Sequence, residues 1–314
     1  MKILVTGCAG FIGSHVSEKL LNQGFNVYGI DNMNDYYDVN QKKRNLEMLS
    51  LYDNFVFKNE DIENTNIINE IKPDKVCHLA SMAGVRYSID NPDLYVNVNI
   101  GGFINLVEQA VKNNVLNFVY ASSSSVYGLN KKVPFSETDS IDTCNSPYAA
   151  SKRSMEIFAN TYNQLYKLPL IGLRFFTVYG PRGRPDMAPY KFLKSISEGK
   201  TFDKYGYGDS MRDYTYIDDI VDGVVSALET KDMSSEVFNL GNSTPISLNE
   251  FIETCENVTG KKAEFRQLGI QLGDVPVTYA DVSKAEKILN YRPKVKLKEG
   301  LELTYNWLNK IKQK

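Results

Sequence analysis

A tyrosine followed four residues later by a lysine, in Tyr148-Ala-Ala-Ser-Lys152, is the pair in this chain best suited to chemistry. Residues four apart share one face of a helix, so the ammonium can sit near the phenol. A cation there favours phenolate, bringing a group with an unperturbed pKa of about 10 toward general-base work near neutral pH. Upstream, the apolar run Asn117 to Ala121 ends in Ser122, Ser123, Ser124 and Ser125. This puts hydroxyls at the C-terminal edge of a strand, where ligands sit in doubly wound sheets. The same tyrosine–lysine spacing decorates ordinary amphipathic helices, so the pair needs a second signal.

The N-terminus supplies that signal. Ile3 to Val5 reads as a buried parallel strand, and Gly7, Gly10 and Gly13 open a helix running to about Asn22. Glycines there permit a tight turn, close approach of backbone to a pyrophosphate and close packing of helix on strand; the anion then sits on the helix N-terminus. After Gly24 a second strand, Asn26 to Ile30, leads into Asp31. An acid about twenty residues past the glycines accepts the hydroxyls of an adenosine ribose. It would repel a 2′-phosphate, and no Arg or Lys follows at once to welcome one. The combination therefore points to NAD rather than NADP.

These motifs sit in a chain of 314 residues with a formal net charge of −2, 42% hydrophobic and 24% charged residues. The balance is that of a soluble globular protein with no global field to recruit nucleic acid or an acidic membrane. No apolar run approaches the roughly 20 residues that span a bilayer, and Met1 leads into a strand without a signal peptide. Cys8, Cys77, Cys144 and Cys255 lack metal-ligand spacing and read as reduced thiols of a cytoplasmic protein. His15 and His78, the only histidines, fall in helical or apolar contexts and read as structural, so no metal site is expected.

Strand-like runs at Lys2–Val5, Asn26–Ile30, Asn54–Lys58, Lys75–Leu79, Asn117–Ala121 and Pro169–Phe175 alternate with helical stretches such as Gly102–Asn113 and Tyr148–Tyr166. The fold class is therefore α/β, a Rossmann-type parallel sheet wound by helices on both faces. Past Phe175 the pattern breaks up, with Pro181, Pro185 and Pro189 punctuating a loop. We expect a cofactor domain over residues 1–175, with 213–235 returning to it. Residues 176–212 and 236–314 should form a smaller interleaved substrate lobe, since no linker composition separates the two.

Taken together, the motifs resemble the extended short-chain dehydrogenase/reductases that act on nucleotide sugars, nearly end to end. The matching landmarks are the glycines at 7–13, Asp31-Asn32, Asp61-Ile62, His78-Leu79-Ala80-Ser81, Asn99, the serine run, Tyr148 with Lys152, Arg174-Phe-Phe-Thr-Val-Tyr-Gly-Pro181 and Arg212 to Asp219. Within that family the chain is most similar to UDP-glucuronate 4-epimerases. Asp31-Asn-Met-Asn-Asp-Tyr-Tyr-Asp38, Ala83-Gly-Val-Arg-Tyr-Ser88, Ser122 to Leu129 and Arg174 to Met187 carry that likeness.

The resemblance implies tightly held NAD bound by Gly7, Gly10, Phe11, Ile12 and Gly13 around the pyrophosphate, with Asp31, Asn32, Asp61 and Ile62 on the adenosine side. Leu79, Ala80, Ser81, Asn99, Ala121 and Phe175 would complete the cofactor site, with Tyr148 and Lys152. It also implies a homodimer through a four-helix bundle built from helices 102–113 and 148–166. Tyr148 would take the proton of the sugar 4-OH while hydride leaves C4. Lys152 would depress the phenol pKa and hold the nicotinamide ribose, and Ser123 would bond the reacting oxygen. Dehydrating members carry Asp-Glu where Ser124 and Ser125 stand, and decarboxylating members a glutamate at Ser125; hydroxyls there leave C5 chemistry without its acid–base pair.

Oxidising C4 of a glucuronate makes a β-keto acid that loses CO₂ when its carboxylate stands perpendicular to the keto plane. An epimerase has to hold it out of that alignment. Arg184 could clamp it, with Thr177, Ser124 and Ser125 adding neutral hydrogen bonds; as a solvated loop charge or a phosphate contact, Arg184 would do neither. Arg212 matches the family's diphosphate arginine and Asp274 the acid on the uridine ribose. The usual Arg before that acid is Gln271, so Arg86 is expected to share the diphosphate. The alternatives are a UDP-glucose or UDP-N-acetylglucosamine 4-epimerase, then a nucleotide-sugar 4,6-dehydratase or a UDP-glucuronate decarboxylase, and a cofactor-binding scaffold without turnover is the rival outside enzymology.

Overall fold

The computed structural model describes residues 1–231, 233–269 and 275–312. Strands β1 (Lys2–Thr6), β2 (Asn26–Asp31), β3 (Phe55–Asn59), β4 (Lys75–His78), β5 (Asn117–Ser123) and β6 (Leu170–Phe175) pair in parallel in the spatial order 3-2-1-4-5-6. Strands β7 (Thr177–Tyr179), β8 (Phe202–Tyr205) and β9 (Met211–Tyr216) leave this sheet, and β10 (Glu236–Leu240) rejoins it beside β6 as a seventh strand. The order reverses between β1 and β4, and ligands bind at such a switch point, beyond the strands' C-terminal ends.

Strands buried on both faces read as continuous apolar runs, as Ile3-Leu-Val5 and Phe118-Val-Tyr120 do. Alternate side chains divide between two cores. Ile3, Val5, Val119 and Leu173 pack with helix α1 (Phe11–Asn22) and the residues that follow β9, whereas Leu4, Val76, Phe118 and Tyr120 face the opposite side. Behind β2 lies α2 (Val39–Leu49), against α1. The second face is covered by α3 (Ile67–Ile71), the short helices α4 (Val85–Asp90) and α5 (Pro92–Tyr95), a π-type turn over Val96–Gly101, α6 (Gly102–Lys112) and α7 (Pro147–Tyr166).

The second lobe contains α8 (Ala188–Glu198), then α9 (Ile217–Glu229) crosses back to pack on α1 and β5. Strands β11 (Pro245–Ser247) and β13 (Val277–Thr278) flank β9, which also pairs with β7, while β12 (Phe265–Leu268) runs parallel to β8. Helices α10 (Leu248–Thr259), α11 (Ser283–Leu289) and α12 (Leu297–Lys312) complete the chain, with α10 against α8 and α12. Two details depart from the sequence-based division. Residues 236–240 stand in the large sheet although 236–314 was assigned to the lobe, and Asp213 to Tyr216 belong to the small sheet although 213–235 was assigned to the cofactor domain. Short strands carry too little pattern to show which sheet they join. No described helix is long and apolar enough to cross a membrane.

Candidate active site

A cavity of about 410 Å³ opens over the C-terminal ends of β1, β4, β5 and β6. At one end lie Gly7, Gly10, Phe11, Ile12 and Gly13, with Asp31, Asn32 and Ile62; Leu79, Ala80 and Ser81 follow, then Ala121, Ser123, Ser124, Ser125, Tyr148, Lys152, Phe175, Thr177 and Arg184. The structure thus brings together most of the residues singled out from sequence.

The glycine end has the shape of a cradle. A Cβ on Gly13 would lie 2.0 Å from the Gly7 carbonyl oxygen, and one on Gly7, at φ +70°, would lie 2.8 Å from the amide nitrogen of Ala80. Only glycine lets the loop, the start of α1 and the edge of β4 meet this closely. Asp31 ends β2 and is buried; its Oδ1 accepts from the Met33 amide at 2.9 Å. A narrow, glycine-lined helix N-terminus followed by a buried acid fits a dinucleotide with a free ribose diol.

Sequence reading found no cation near Asp31, but the fold supplies one. Lys42 on α2 reaches back to place its Nζ 3.4 Å from Asp31 Oδ1 and 3.0 Å from Asn34 Oδ1, and it too lines the cavity. Tyr36, Tyr37, Gly84 and Glu60 were likewise missed as lining residues. Tyr36 and Tyr37 lie in the Asp31 to Asp38 motif, so a signal for them was present.

Two residues expected on the cofactor are not among those that line the cavity. Asn99 is fully buried: its Oδ1 accepts from the Met82 amide at 2.8 Å, and its Nδ2 donates to the Met82 carbonyl and to Ser151 Oγ. Asp61 Oδ2 accepts from Asn32 Nδ2 at 3.1 Å, and its other oxygen holds the Glu63 amide. Neither lines the cavity. The Asn99 amide is satisfied by buried backbone and by Ser151, partners that sequence spacing does not reveal.

The reacting wall stands on regular elements. Ser123 is the last residue of β5, and its Oγ accepts from the Ser125 amide at 3.1 Å, which turns Ser124–Tyr127 into a 3₁₀ helix. Helix α7 begins with Ser146 capping the Ala149 amide and Pro147 in its first turn, so Tyr148 sits where the helix meets the cavity. Lys152 follows one turn later and donates to the Ala121 carbonyl at 2.7 Å.

A buried ion pair locks the two elements together. Arg174 on β6 donates from Nε and a terminal nitrogen to both oxygens of Glu156 on α7, at 2.8 and 2.9 Å, and Ser122 Oγ donates to Glu156 at 2.7 Å.

The electrostatics differ from the sequence-based expectation. Burial pushes the Tyr148 phenol above its usual range, while a hydrogen bond from Ser123 and the charge of Arg184 pull it down. Burial lowers the Lys152 ammonium to about 7. In the protein alone, burial disfavours the charged form of both groups, and a lysine itself driven toward neutrality stabilises a phenolate only weakly. His78, beneath the wall, is lowered to about 3 by burial and the nearby Lys152 charge; its Nδ1 shares a hydrogen bond with Thr6 Oγ1.

The opposite wall is a loop. Thr177 begins β7, and Arg184 projects into the cavity with its Nε and a terminal nitrogen bonded to Asp186 at 3.0 and 2.6 Å, stacked over the Tyr36 ring. Arg184 is therefore neither solvated nor unpaired. Arg86 and Arg212 do not line this cavity. Arg86 on α4 is exposed and lies over the Tyr205 ring, and Arg212 on β9 donates to the carbonyls of Met211 and Val275. Asp274 and Gln271 lie outside the described residues.

Comparison with known proteins gives one consistent picture. Residues 4–304 match the family model described as GDP-mannose 4,6 dehydratase. The UDP-glucuronate 4-epimerase of Thermodesulfobacterium geofontis is 46% identical over 309 residues, 97% of this chain and 95% of that protein. The crystal structure of UDP-glucuronic acid 4-epimerase from Bacillus cereus in complex with UDP-glucuronic acid and NAD superposes with a TM-score of 0.93 at 40% identity, covering 99% of this chain and 100% of that one. The UDP-glucose 4-epimerase of Thermotoga maritima, with UDP-glucose, gives a TM-score of 0.91 at 34% identity, with 99% of each chain covered.

Proposed function

The chain belongs to the extended short-chain dehydrogenase/reductases that act on nucleotide sugars, and from that premise we propose that it is an NAD-dependent UDP-sugar 4-epimerase converting UDP-glucuronate to UDP-galacturonate. The observation that carries this reading is a single cavity in which a glycine cradle and Asp31, the Ser123–Tyr148–Lys152 set, and the Thr177–Arg184 wall follow one another. Held by the glycine cradle and Asp31, NAD⁺ would supply the acceptor for a hydride from sugar C4 and the donor that restores it on the other face.

The protein's part is to hold and move a proton. Tyr148 Oη is the group that takes the 4-OH proton and gives it back, and Ser123 Oγ bonds the same oxygen. Lys152, fixed on the Ala121 carbonyl one helical turn from Tyr148, favours the phenolate in so far as it carries its proton. Adding the cationic cofactor to a buried phenol favours its ionised form, which offsets the desolvation that raises it in the protein alone. Ser124 and Ser125 offer hydroxyls and no carboxylate near C5, so proton abstraction there has no base. Arg184, with Thr177 and Ser125, keeps the carboxylate of the 4-keto acid away from the geometry that expels CO₂.

The second reading, a neutral-sugar 4-epimerase, is favoured by one observation: Arg184 already has a bidentate partner in Asp186. Three N–H groups of Arg184 remain beyond that pair, enough for a carboxylate. Exposed Ile157, Leu165 and Tyr166 on α7 support the proposal that two copies dimerise through α6 and α7. Four free cysteines support a reducing, cytoplasmic setting. Incubating purified protein with UDP-glucuronate, UDP-glucose and UDP-N-acetylglucosamine and resolving products by NMR tests the assignment; turnover confined to a neutral sugar overturns it.

A further inference from the structure

We infer that Gln41, which does not line the cavity, is a specificity-determining positioning residue: its buried amide fixes the loop that aims Arg184. The inference rests on the reading that Arg184 takes the sugar carboxylate.

Helix α2 turns three polar side chains inward, Gln41, Lys42 and Asn45, each at most 4% exposed. Polar groups withdrawn from water are costly unless bonded, and each of these is. Asn45 Nδ2 donates to the carbonyl of Ala9, inside the glycine cradle, at 2.8 Å. Lys42 holds Asp31. Gln41, one helical turn before Asn45 on the same face, sends its Nε2 across to the substrate side and donates to the carbonyls of Arg182 and Gly183, at 2.6 and 2.9 Å. One helix therefore grips the cofactor loop at one end and the recognition loop at the other.

The recognition loop needs this grip. Arg182 adopts φ +61°, a left-handed conformation that residues with a Cβ enter only at a cost. Its side chain is turned away from the cavity onto α1, where Nε donates to His15 Nε2 at 3.2 Å and a terminal nitrogen bonds Glu18. Within the loop before Arg184, a turn from the Gly183 amide to the Gly180 carbonyl, at 3.1 Å, is the backbone's own tie. The two carbonyls that Gln41 satisfies immediately precede Arg184. Losing their donor frees the peptide that sets the direction of the Arg184 side chain, while the cavity wall keeps the same residues.

The test compares Gln41→Glu, which keeps size but loses both donors, and Gln41→Met with the parent enzyme. Measured quantities are the ratio of kcat/KM for UDP-glucuronate to that for UDP-glucose, the NAD retained per chain and the melting temperature. The expected result is a drop in the ratio of about tenfold, the worth of one well-placed hydrogen bond, with NAD content unchanged. In the Gln41→Glu background, Arg184→Ala should lower the ratio little further, since both changes remove the same contact. Arg182→Met, which releases the loop from α1, reads the same ratio should position 41 tolerate no change. A ratio within twofold of the parent in folded variants overturns the inference. If Arg184→Ala alone leaves the ratio untouched, the carboxylate reading falls instead, and the Gln41 ratios still decide whether the loop governs discrimination.

Discussion

The Ser123–Tyr148–Lys152 wall and the Thr177–Arg184 wall face one cavity, yet they are held by different means. The first is built from a strand end and a helix start, tied by Ser146, the Lys152–Ala121 contact and the Glu156–Arg174 pair. Ser123 and Lys152 are buried and Tyr148 is half-buried, and desolvation dominates the protonation of the tyrosine and the lysine. The second is a loop with a left-handed arginine, an ion pair of its own and anchors on α1 and α2. In the proposed reading, the proton chemistry stands on regular elements, while choice of substrate stands on a loop that a few polar contacts can re-aim.

The comparison is most exposed at Tyr148. Tyr148→Phe should lower kcat by roughly a thousandfold on acid and neutral sugars alike, with substrate affinity changed by less than about tenfold, because the phenol acts on the transition state. Turnover near the parent rate in a folded Phe variant would mean that the proton moves through another residue.

Arg184→Ala should do the opposite kind of damage. A charge-assisted contact to a carboxylate is worth about 1.5–3 kcal/mol, so kcat/KM should fall ten- to a hundredfold for UDP-glucuronate and much less for UDP-glucose. Some UDP-4-keto-pentose should also appear, visible by NMR, as the freed carboxylate reaches the aligned geometry. Equal losses on both sugars would assign Arg184 to the diphosphate and erase the contrast between the walls.

Gly13→Ala probes the floor that both walls share. Its Cβ would fall 2.0 Å from the Gly7 carbonyl oxygen, so the loop has to move. The purified variant should retain less than about a tenth of the parent's NAD, since 1.4 kcal/mol of lost binding already gives tenfold. Nucleotide released on denaturation and quantified by absorbance gives the answer; full retention would show that the loop yields without cost.

The smallest effect is a pH response that both walls share. His78 lies beneath the first wall and His15 braces the second, and burial lowers each to about 3. An unfolded histidine titrates at about 6.5, so between pH 6.5 and 3 the unfolded state binds protons that the folded state refuses, and stability falls as pH falls through that window. Imidazole NMR should show neither ring titrating above pH 5, and the urea midpoint should decline from pH 7 to 5. A ring titrating near 6.5 would mean that its wall is open to water.

Much of this was legible in the linear order of residues. The glycine spacing, Asp31, the serine run and Tyr148 with Lys152 are local signals: each uses neighbours a few positions apart, and helix and strand periodicity convert that spacing into a shared face. Within a residue or two, the six leading strands and α6 and α7 fall where periodicity put them. The unread part is long-range. Lys42 reaching Asp31, Arg184 pairing with Asp186 over Tyr36, and Asn99 bonding the Met82 backbone depend on which polar groups find each other once the chain has closed.

By itself, the sequence determined the parallel α/β class and singled out the glycine cradle and the proposed pair Tyr148 and Lys152, because those follow from steric and periodic rules acting over a few residues. Only the tertiary structure decided that β10 joins the large sheet, that burial rather than Lys152 governs the Tyr148 phenol, and that Gln41 holds a loop 141 positions away. Desolvation and hydrogen-bond satisfaction belong to an enclosed environment, and no stretch of chain encloses itself.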